Sequence, residues 1–216
     1  MSKSTGRRIA FFDFDGTLIS SDSFILFAIF SKGYKKVFTT FLRFLPKIIL
    51  MKFGFIDKDR LKSNIFSRLF RGVPADSFSE KCNNFVRIID ENINEVVLER
   101  VKALQEEGIE TFIVSASVCD WIKPWAVING FNGVIATEIE LIADTNGNIL
   151  LSGNFSTPNC NEDEKLNRVQ QSFPGIGFME SWCYGDSAGD VPLLKMVSHP
   201  YYVKGSKIHP FNIKSP

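Results

Sequence analysis

Apolar and polar positions divide the chain into three regimes. Ile9 to Phe12 are apolar without alternation, the pattern of a strand buried on both faces of a parallel sheet. They lead into Asp13-Phe14-Asp15-Gly16-Thr17, where the glycine marks the change from strand to loop. From there to about residue 95 strand alternation disappears. The spacing predicts helices over Asp22 to Phe30, Tyr34 to about Phe53 with Pro46 as a kink, Lys58 to Phe70, and Ala75 to Asn92, the last opened by Pro74 and Asp76. Helix and strand then alternate again. A helix over Val96 to Glu107, stopped by Gly108, precedes a buried strand at Glu110 to Val114. A helix over Trp121 to Asn129 and a short strand at Gly133 to Thr137 follow. Glu138 to Ala143 and Asn148 to Leu151 flank Asp144-Thr145-Asn146-Gly147, a hairpin signal read as an ornament on a sheet edge. A helix then runs to about Phe173, and a last strand, Glu180 to Tyr184, passes through Gly185 to Asp190 into a helix at Val191 to Leu194.

Composition adds limits. With 216 residues, 44% hydrophobic and 23% charged, the chain suits one generous globular domain or one domain carrying a lid. Cys82, Cys119, Cys160 and Cys183 form no Cys-x-x-Cys pair, which disfavours a zinc ribbon or a disulfide framework and points to idle thiols in a reducing compartment. Met1 to Arg8 is polar and basic and lacks the apolar core of a signal peptide; the expected location is the cytoplasm.

The net charge of +1 hides an asymmetry. Residues 31 to 72 hold eleven Lys and Arg against Asp57 and Asp59, a net of +9, so the remainder carries −8. A basic patch of this kind seeks an anionic partner. Inside it, the predicted helix from Tyr34 interleaves Phe38, Phe41, Leu42, Phe44, Leu45, Ile48 and Ile49 with Lys36, Arg43, Lys47 and Lys52. Its cations and proline interrupt the run of about 20 mainly apolar residues that crossing a bilayer requires. Lying in a membrane interface at the inner face suits it, and so does serving as a lid whose apolar face covers its neighbours. The 21 Phe residues exceed what such a length needs.

Candidate chemistry gathers at three strand mouths, the edge where open α/β sheets bind ligands. Asp13 and Asp15 end the first strand; two carboxylates so close ionise only with a cation nearby or with one of them protonated. Ser115-Ala116-Ser117 follows the second strand, and a hydroxyl there suits an oxyanion. Lys165 is the first cation after Glu162, Asp163 and Glu164 at a helix start. Asp186 and Asp190 follow the strand at Glu180 to Tyr184. Four acids without a histidine form a hard-cation site, pointing to Mg2+ rather than zinc.

Asp13-Phe14-Asp15-Gly16-Thr17, Ser115, Lys165 and Gly185-Asp186-Ser187-Ala188-Gly189-Asp190 resemble, in order, the four motifs of the haloacid dehalogenase superfamily phosphatases. The long helical insertion resembles that of the phosphoserine phosphatase-like branch. The basic, Phe-rich insertion and His199-Pro200-Tyr201-Tyr202-Val203 look closest to the phosphatidylglycerophosphatase C-like group. The resemblance implies an α/β fold with a Rossmann-like parallel-sheet core, helices on both faces, an inserted all-helical cap and a small β-hairpin. The implied core is residues 1–18 and 96–216, with residues 19–95 as cap. It implies a phosphatase in which Asp13 is the nucleophile and Asp15 the general acid and base. Gly16, Ser115, Ala116 and Lys165 would bind phosphate. Asp13, Asp15 through its backbone carbonyl, and Asp186 would hold Mg2+, with Asp190 orienting them.

Asp22 stands where phosphoserine phosphatases carry a glutamate that reads the substrate amine, no glycine stands near Lys165, and Gly189 replaces a frequent asparagine. An amino-acid substrate is therefore disfavoured against a lipid phosphate such as phosphatidylglycerophosphate, with possible peripheral contact to an anionic membrane through residues 31–72. Other readings are a phosphomutase, a phosphorylatable receiver module, which needs neither Asp15 nor a cap, and a nucleic-acid-binding module using the cationic aromatics, which is disfavoured.

Overall fold

The computed structural model describes residues 7–176 and 180–212; most of the basic leader falls outside them. Strand β1 (Arg8–Phe12) lies inside a six-stranded sheet. On one side it pairs in parallel with β2 (Glu110–Val118), which pairs with β3 (Gly133–Thr137). On the other it pairs in parallel with β6 (Glu180–Gly185). Between β3 and β6 in the chain come β4 (Ile139–Ala143) and β5 (Ile149–Phe155), an antiparallel pair forming a sheet of their own. The order of the large sheet is β3-β2-β1-β6, continued by β7 (His199–Lys204) and an antiparallel β8 (Lys207–Pro210).

The unalternating run in β1 has a direct cause. Ala10 and Phe12 enter one apolar core, while Ile9 and Phe11 enter the other. Successive side chains point to opposite faces of a strand, so a sheet covered on both faces demands apolar residues at every position. The first core is closed by α6 (Glu95–Glu106) and α7 (Cys119–Ile128), through Val97, Val101, Trp121 and Trp125. The second is closed by α8 (Glu162–Ser172) and α9 (Val191–Leu194), through Val169 and Leu193.

Five helices fall between β1 and α6. They are α1 (Ser23–Lys32), α2 (Tyr34–Lys52), α3 (Lys58–Phe70), α4 (Ala75–Asn84) and α5 (Val86–Asp90). The excess of phenylalanine is explained largely here. Phe27 is fully buried and contacts the rings of Phe70, Phe78 and Phe85 at 5.8, 5.3 and 5.1 Å, and stacks on Trp121 of α7 at 4.7 Å. The inserted helices thus have an aromatic core of their own, continuous with the core under α7.

Several expectations need correction. The helix expected over Ala75 to Asn92 breaks at Phe85, whose buried ring joins the Phe27 cluster; no glycine or proline announces the break. Strand β2 runs on to Val118, so Ser115 to Ser117 lie within it. Helix α2 does span Tyr34–Lys52 with Pro46 inside it, as expected. Proline removes a bond to the carbonyl four residues earlier, and Leu42 is 57% exposed, where water can satisfy that carbonyl.

The hairpin is no edge ornament. Leu151 exchanges backbone hydrogen bonds with the chain after α3: Gly72 N donates to Leu151 O at 2.8 Å and Leu151 N donates to Val73 O at 2.9 Å. It is fastened to the inserted helices. The strand at Glu180 is not the last, since β7 and β8 extend the sheet beyond it. Pro200 in β7 interrupts the local strand signal, and most β7 side chains are half-buried. All four cysteines are free. Among the described residues no helix is long and apolar enough to cross a membrane.

Candidate active site

Strands β1, β2 and β6 end side by side, and their register brings the candidate residues together. Lys165, in the first turn of α8 and only 3% exposed, donates to Asp13 Oδ1 at 2.7 Å and to Asp190 Oδ1 at 2.5 Å. Burial opposes its charge, but the two carboxylates win and hold its pKa above the ordinary lysine value. Carboxylate oxygens of Asp13, Asp186 and Asp190 lie within 4.8 Å of one another. One lysine cannot neutralise three such groups. Burial, offset by Lys165 but reinforced by Asp190, raises the Asp13 pKa well above its usual range. Burial and then Asp190 raise that of Asp186.

Two glycines make this density of acid possible. Gly16 has φ +84°, and a Cβ there would stand 2.3 Å from Asp186 Oδ2. A Cβ on Gly185 would stand 2.5 Å from the Asp190 side chain. The Gly16 N–H donates to Ile19 O at 2.8 Å, so what this glycine offers the site is the missing side chain. Asp190 also caps the loop before it, its Oδ2 accepting from Ser187 N at 3.1 Å and Ser187 Oγ at 2.9 Å. Thr17 Oγ1 donates to Asp186 Oδ1 at 3.3 Å. An oxygen-only cluster with surplus negative charge and raised acid pKa values has the donor chemistry of a hard divalent cation.

Asp15 stands apart from the other three acids. Its Oδ1 accepts from Ser23 N at 2.8 Å and its Oδ2 from Ser117 Oγ at 2.5 Å. Behind Ser117 a relay continues: Ser23 Oγ donates to Ser117 Oγ at 2.8 Å, and Trp121 Nε1 donates to Ser23 Oγ at 3.2 Å. Burial and then the nearby Asp22 push Asp15 up to about 6, against the pull of the Ser117 and Ser23 hydrogen bonds. A carboxyl so poised can give a proton and take it back near neutral pH. Removing the Ser117 hydroxyl removes a bond that favours the ionised form, so Ser117→Ala should move this pKa further upward. The limb of the pH–rate profile that follows Asp15 should shift to higher pH, with kcat lowered about tenfold; an unmoved limb would exclude Ser117 from this task.

A cavity of about 440 Å³ opens over these groups. The core lines it with Asp13, Asp15, Ser115, Ala116 and Lys165, while the inserted helices bring Phe24, Phe41, Ile48, Met51 and Ile65. Ser115 Oγ accepts from Ser117 N at 3.0 Å, which leaves its hydroxyl proton for another acceptor. Ala116 offers no free carbonyl, since that oxygen accepts from Thr137 Oγ1 at 2.7 Å and from Lys62 Nζ at 2.5 Å. Lys62 reaches in from α3 and also donates to Asn159 Oδ1 at 2.6 Å.

The sequence matches the haloacid dehalogenase-like hydrolases over residues 10–195. The chain belongs to that family. This hydrolase is 27% identical to protein CicA of Caulobacter vibrioides over 192 residues, covering 88% of this chain and 83% of the relative. Its fold is similar to a Bordetella pertussis Tohama I protein of unknown function, with TM-score 0.75 and 23% identity over 91% of this chain and 89% of that one. It is also similar to phosphoserine phosphatase crystallised as a phospho-aspartyl intermediate analogue, with TM-score 0.58 and 16% identity over 91% and 86% of the two chains.

Sequence reasoning missed Ser117, Ser23 and Lys62 in this hydrolase. Ser117 had a usable signal, because residues two apart on a strand share a face and Ser115 was already a candidate. Nothing distinguishes Lys62 from ten other cations in its stretch. Asp22 lines the cavity and also caps α1, accepting from Ile25 N at 3.0 Å. Near Lys165, Glu162 takes φ +50°, the left-handed conformation that glycine adopts without steric cost.

Proposed function

We propose that the chain is a Mg2+-dependent phosphomonoesterase that works through an aspartyl phosphate and prefers esters with an apolar leaving group, a lipid phosphate of the phosphatidylglycerophosphate kind. The observation that carries this reading is the two-part cavity, with Asp13 and Lys165 at its polar lining and Phe41, Ile48 and Met51 on its apolar walls. Residues 19–95 act in this reading as a cap over a core built from residues 1–18 and 96–216.

Asp13 attacks phosphorus in line and the ester oxygen leaves. Asp15 protonates that oxygen, then takes a proton from the water that hydrolyses the aspartyl phosphate. Ser115 and Lys165 donate to the equatorial oxygens, where charge spreads in the transition state. Asp13, Asp186 and the backbone carbonyl of Asp15 would hold Mg2+, which supplies the positive charge that lets two anions approach. Asp190 holds Lys165 in place. The apolar walls exclude water from the ester, and Lys62 closes one side of the cavity.

An exposed stripe of Tyr34, Phe38, Leu42, Leu45 and Ile49 on α2 supports peripheral contact with an anionic membrane. The test is a Mg2+-dependent phosphate-release screen setting lipid phosphates beside phosphoserine, sugar phosphates and nucleotides. The lipid phosphate should show the highest kcat/KM. Ile48→Asn with Met51→Asn should lower that value about 10²- to 10⁴-fold, since each of the two apolar contacts is worth roughly 1.5–3 kcal/mol, and leave a small soluble ester almost unaffected. Fastest turnover of phosphoserine, indifferent to the double variant, would overturn the lipid reading.

A further inference from the structure

A second hollow, of about 600 Å³, lies between α2 and α3 and shares no lining residue with the catalytic cavity. Its walls carry Arg43 and Lys47 from α2, and Arg68 and Arg71 from the end of α3 and just beyond. A smaller hollow adjoins it, sharing Arg43 and Arg68 and adding Lys36. Among the described residues none of these five cations is in an ion pair. Nearby in sequence the counter-charges are Asp57 and Asp59 at the start of α3, and neither lines either hollow. Helix α2 contains no acidic residue, and Asp59, the one acid in α3, accepts from Asn159 Nδ2 at 2.8 Å.

Like charges gathered in a concavity repel one another and raise the local potential. Such a cluster is relieved by an anion. Ser67 and Asn64 add neutral donors to the same wall, and three guanidinium groups offer the planar forks that match phosphate oxygens. The hairpin also accommodates this wall. Gly153 in β5 has φ +88°, and a Cβ there would stand 2.8 Å from both Ser67 Oγ and Arg71 Cβ. A side chain at that position would push Ser67 and Arg71 aside.

We propose that this hollow binds a phosphate-bearing anion at a site separate from the catalytic one. The phosphate comes either from a free anion or from a phospholipid headgroup, and the two sources separate experimentally. The full-length protein and its Arg43→Gln/Arg68→Gln/Arg71→Gln variant are titrated calorimetrically with inorganic phosphate, and sedimented with phosphatidylcholine vesicles with and without phosphatidylglycerol. All three side chains are exposed, so the variant should fold, and Arg68→Gln alone serves as a milder probe.

For a free anion, the wild type should show one phosphate-binding event more than the variant. For a headgroup, the variant should bind the anionic vesicles roughly 100-fold more weakly while the phosphate titrations coincide. Hydrolysis of a small soluble ester should be unchanged in either case. Arginine-to-lysine replacements at the three positions should restore the binding only in part, because lysine keeps the charge and loses the fork. Identical behaviour of wild type and variant in both arms would overturn the proposal, as would binding of an oligonucleotide tighter than either probe.

Discussion

Asp13→Asn should hydrolyse phosphate esters roughly 10⁶-fold more slowly than wild type, the scale seen when a covalent nucleophile is removed, and should still fold. The amide keeps the shape of the carboxylate and one oxygen for Lys165, which now donates to Asp13 Oδ1 at 2.7 Å. What it loses is an anionic oxygen able to attack phosphorus. Relieving one of three crowded acids should raise the melting temperature, since burial and Asp190 already push the Asp13 pKa upward. The measurement is single-turnover phosphate release with Mg2+, beside a thermal melt. Turnover near the wild-type rate in a folded Asp13→Asn protein would end the covalent mechanism.

Lys165→Ala should damage the fold itself. The lysine is the cation hydrogen-bonded to two buried carboxylates, at 2.7 and 2.5 Å, with a third nearby. Removing one partner from a buried ionic set costs about 3–5 kcal/mol, because the remaining charges are left without compensation. Two dependences distinguish this from lost packing. Without the lysine Asp13 and Asp186 keep pKa values above those of the unfolded chain, so the folded state binds more protons; the loss should therefore shrink as pH falls through the folded values. Mg2+ should restore part of the melting temperature, and Asp186→Ala in the same background should abolish that rescue. A Lys165→Ala protein melting like wild type in chelator would show that the cluster is not held by this pair.

How much was legible depended on whether the cause was local. Phe11, Phe12 and Asp13 declared a doubly buried strand ending in acid, because a parallel sheet covered on both faces leaves no polar position until the strand emerges. Gly185 and Asp190 were readable for the same reason. The break at Phe85 was not, since a ring inserted among Phe27 and its neighbours redirects a helix that local preference would continue. Likewise Ser23, 94 residues from Ser117 in sequence, acquires its part in the relay only when α1 settles against β2. The hairpin turn at Asn146-Gly147 was written locally, whereas its attachment at Gly72 and Val73 was not.

The place of β1 inside the sheet bears on how the chain is made. Its residues fill both apolar cores, and Phe11 sits opposite Phe112 on one side and Cys183 on the other. During synthesis, at roughly 5–20 residues per second, this apolar strand leaves the ribosome well ahead of β2 and β6 and then waits for partners from much later in the chain. Pairings so distant in sequence are slow to close. For roughly 10–30 s Ile9 to Phe12 would lack the β6 partner, so the nascent chain should depend on a holding chaperone until β6 emerges. Ribosome-bound chains stalled before residue 180 should be cleaved readily by protease near Phe11, and chains carrying a linker after Pro216 that holds the whole sequence clear of the exit tunnel should resist.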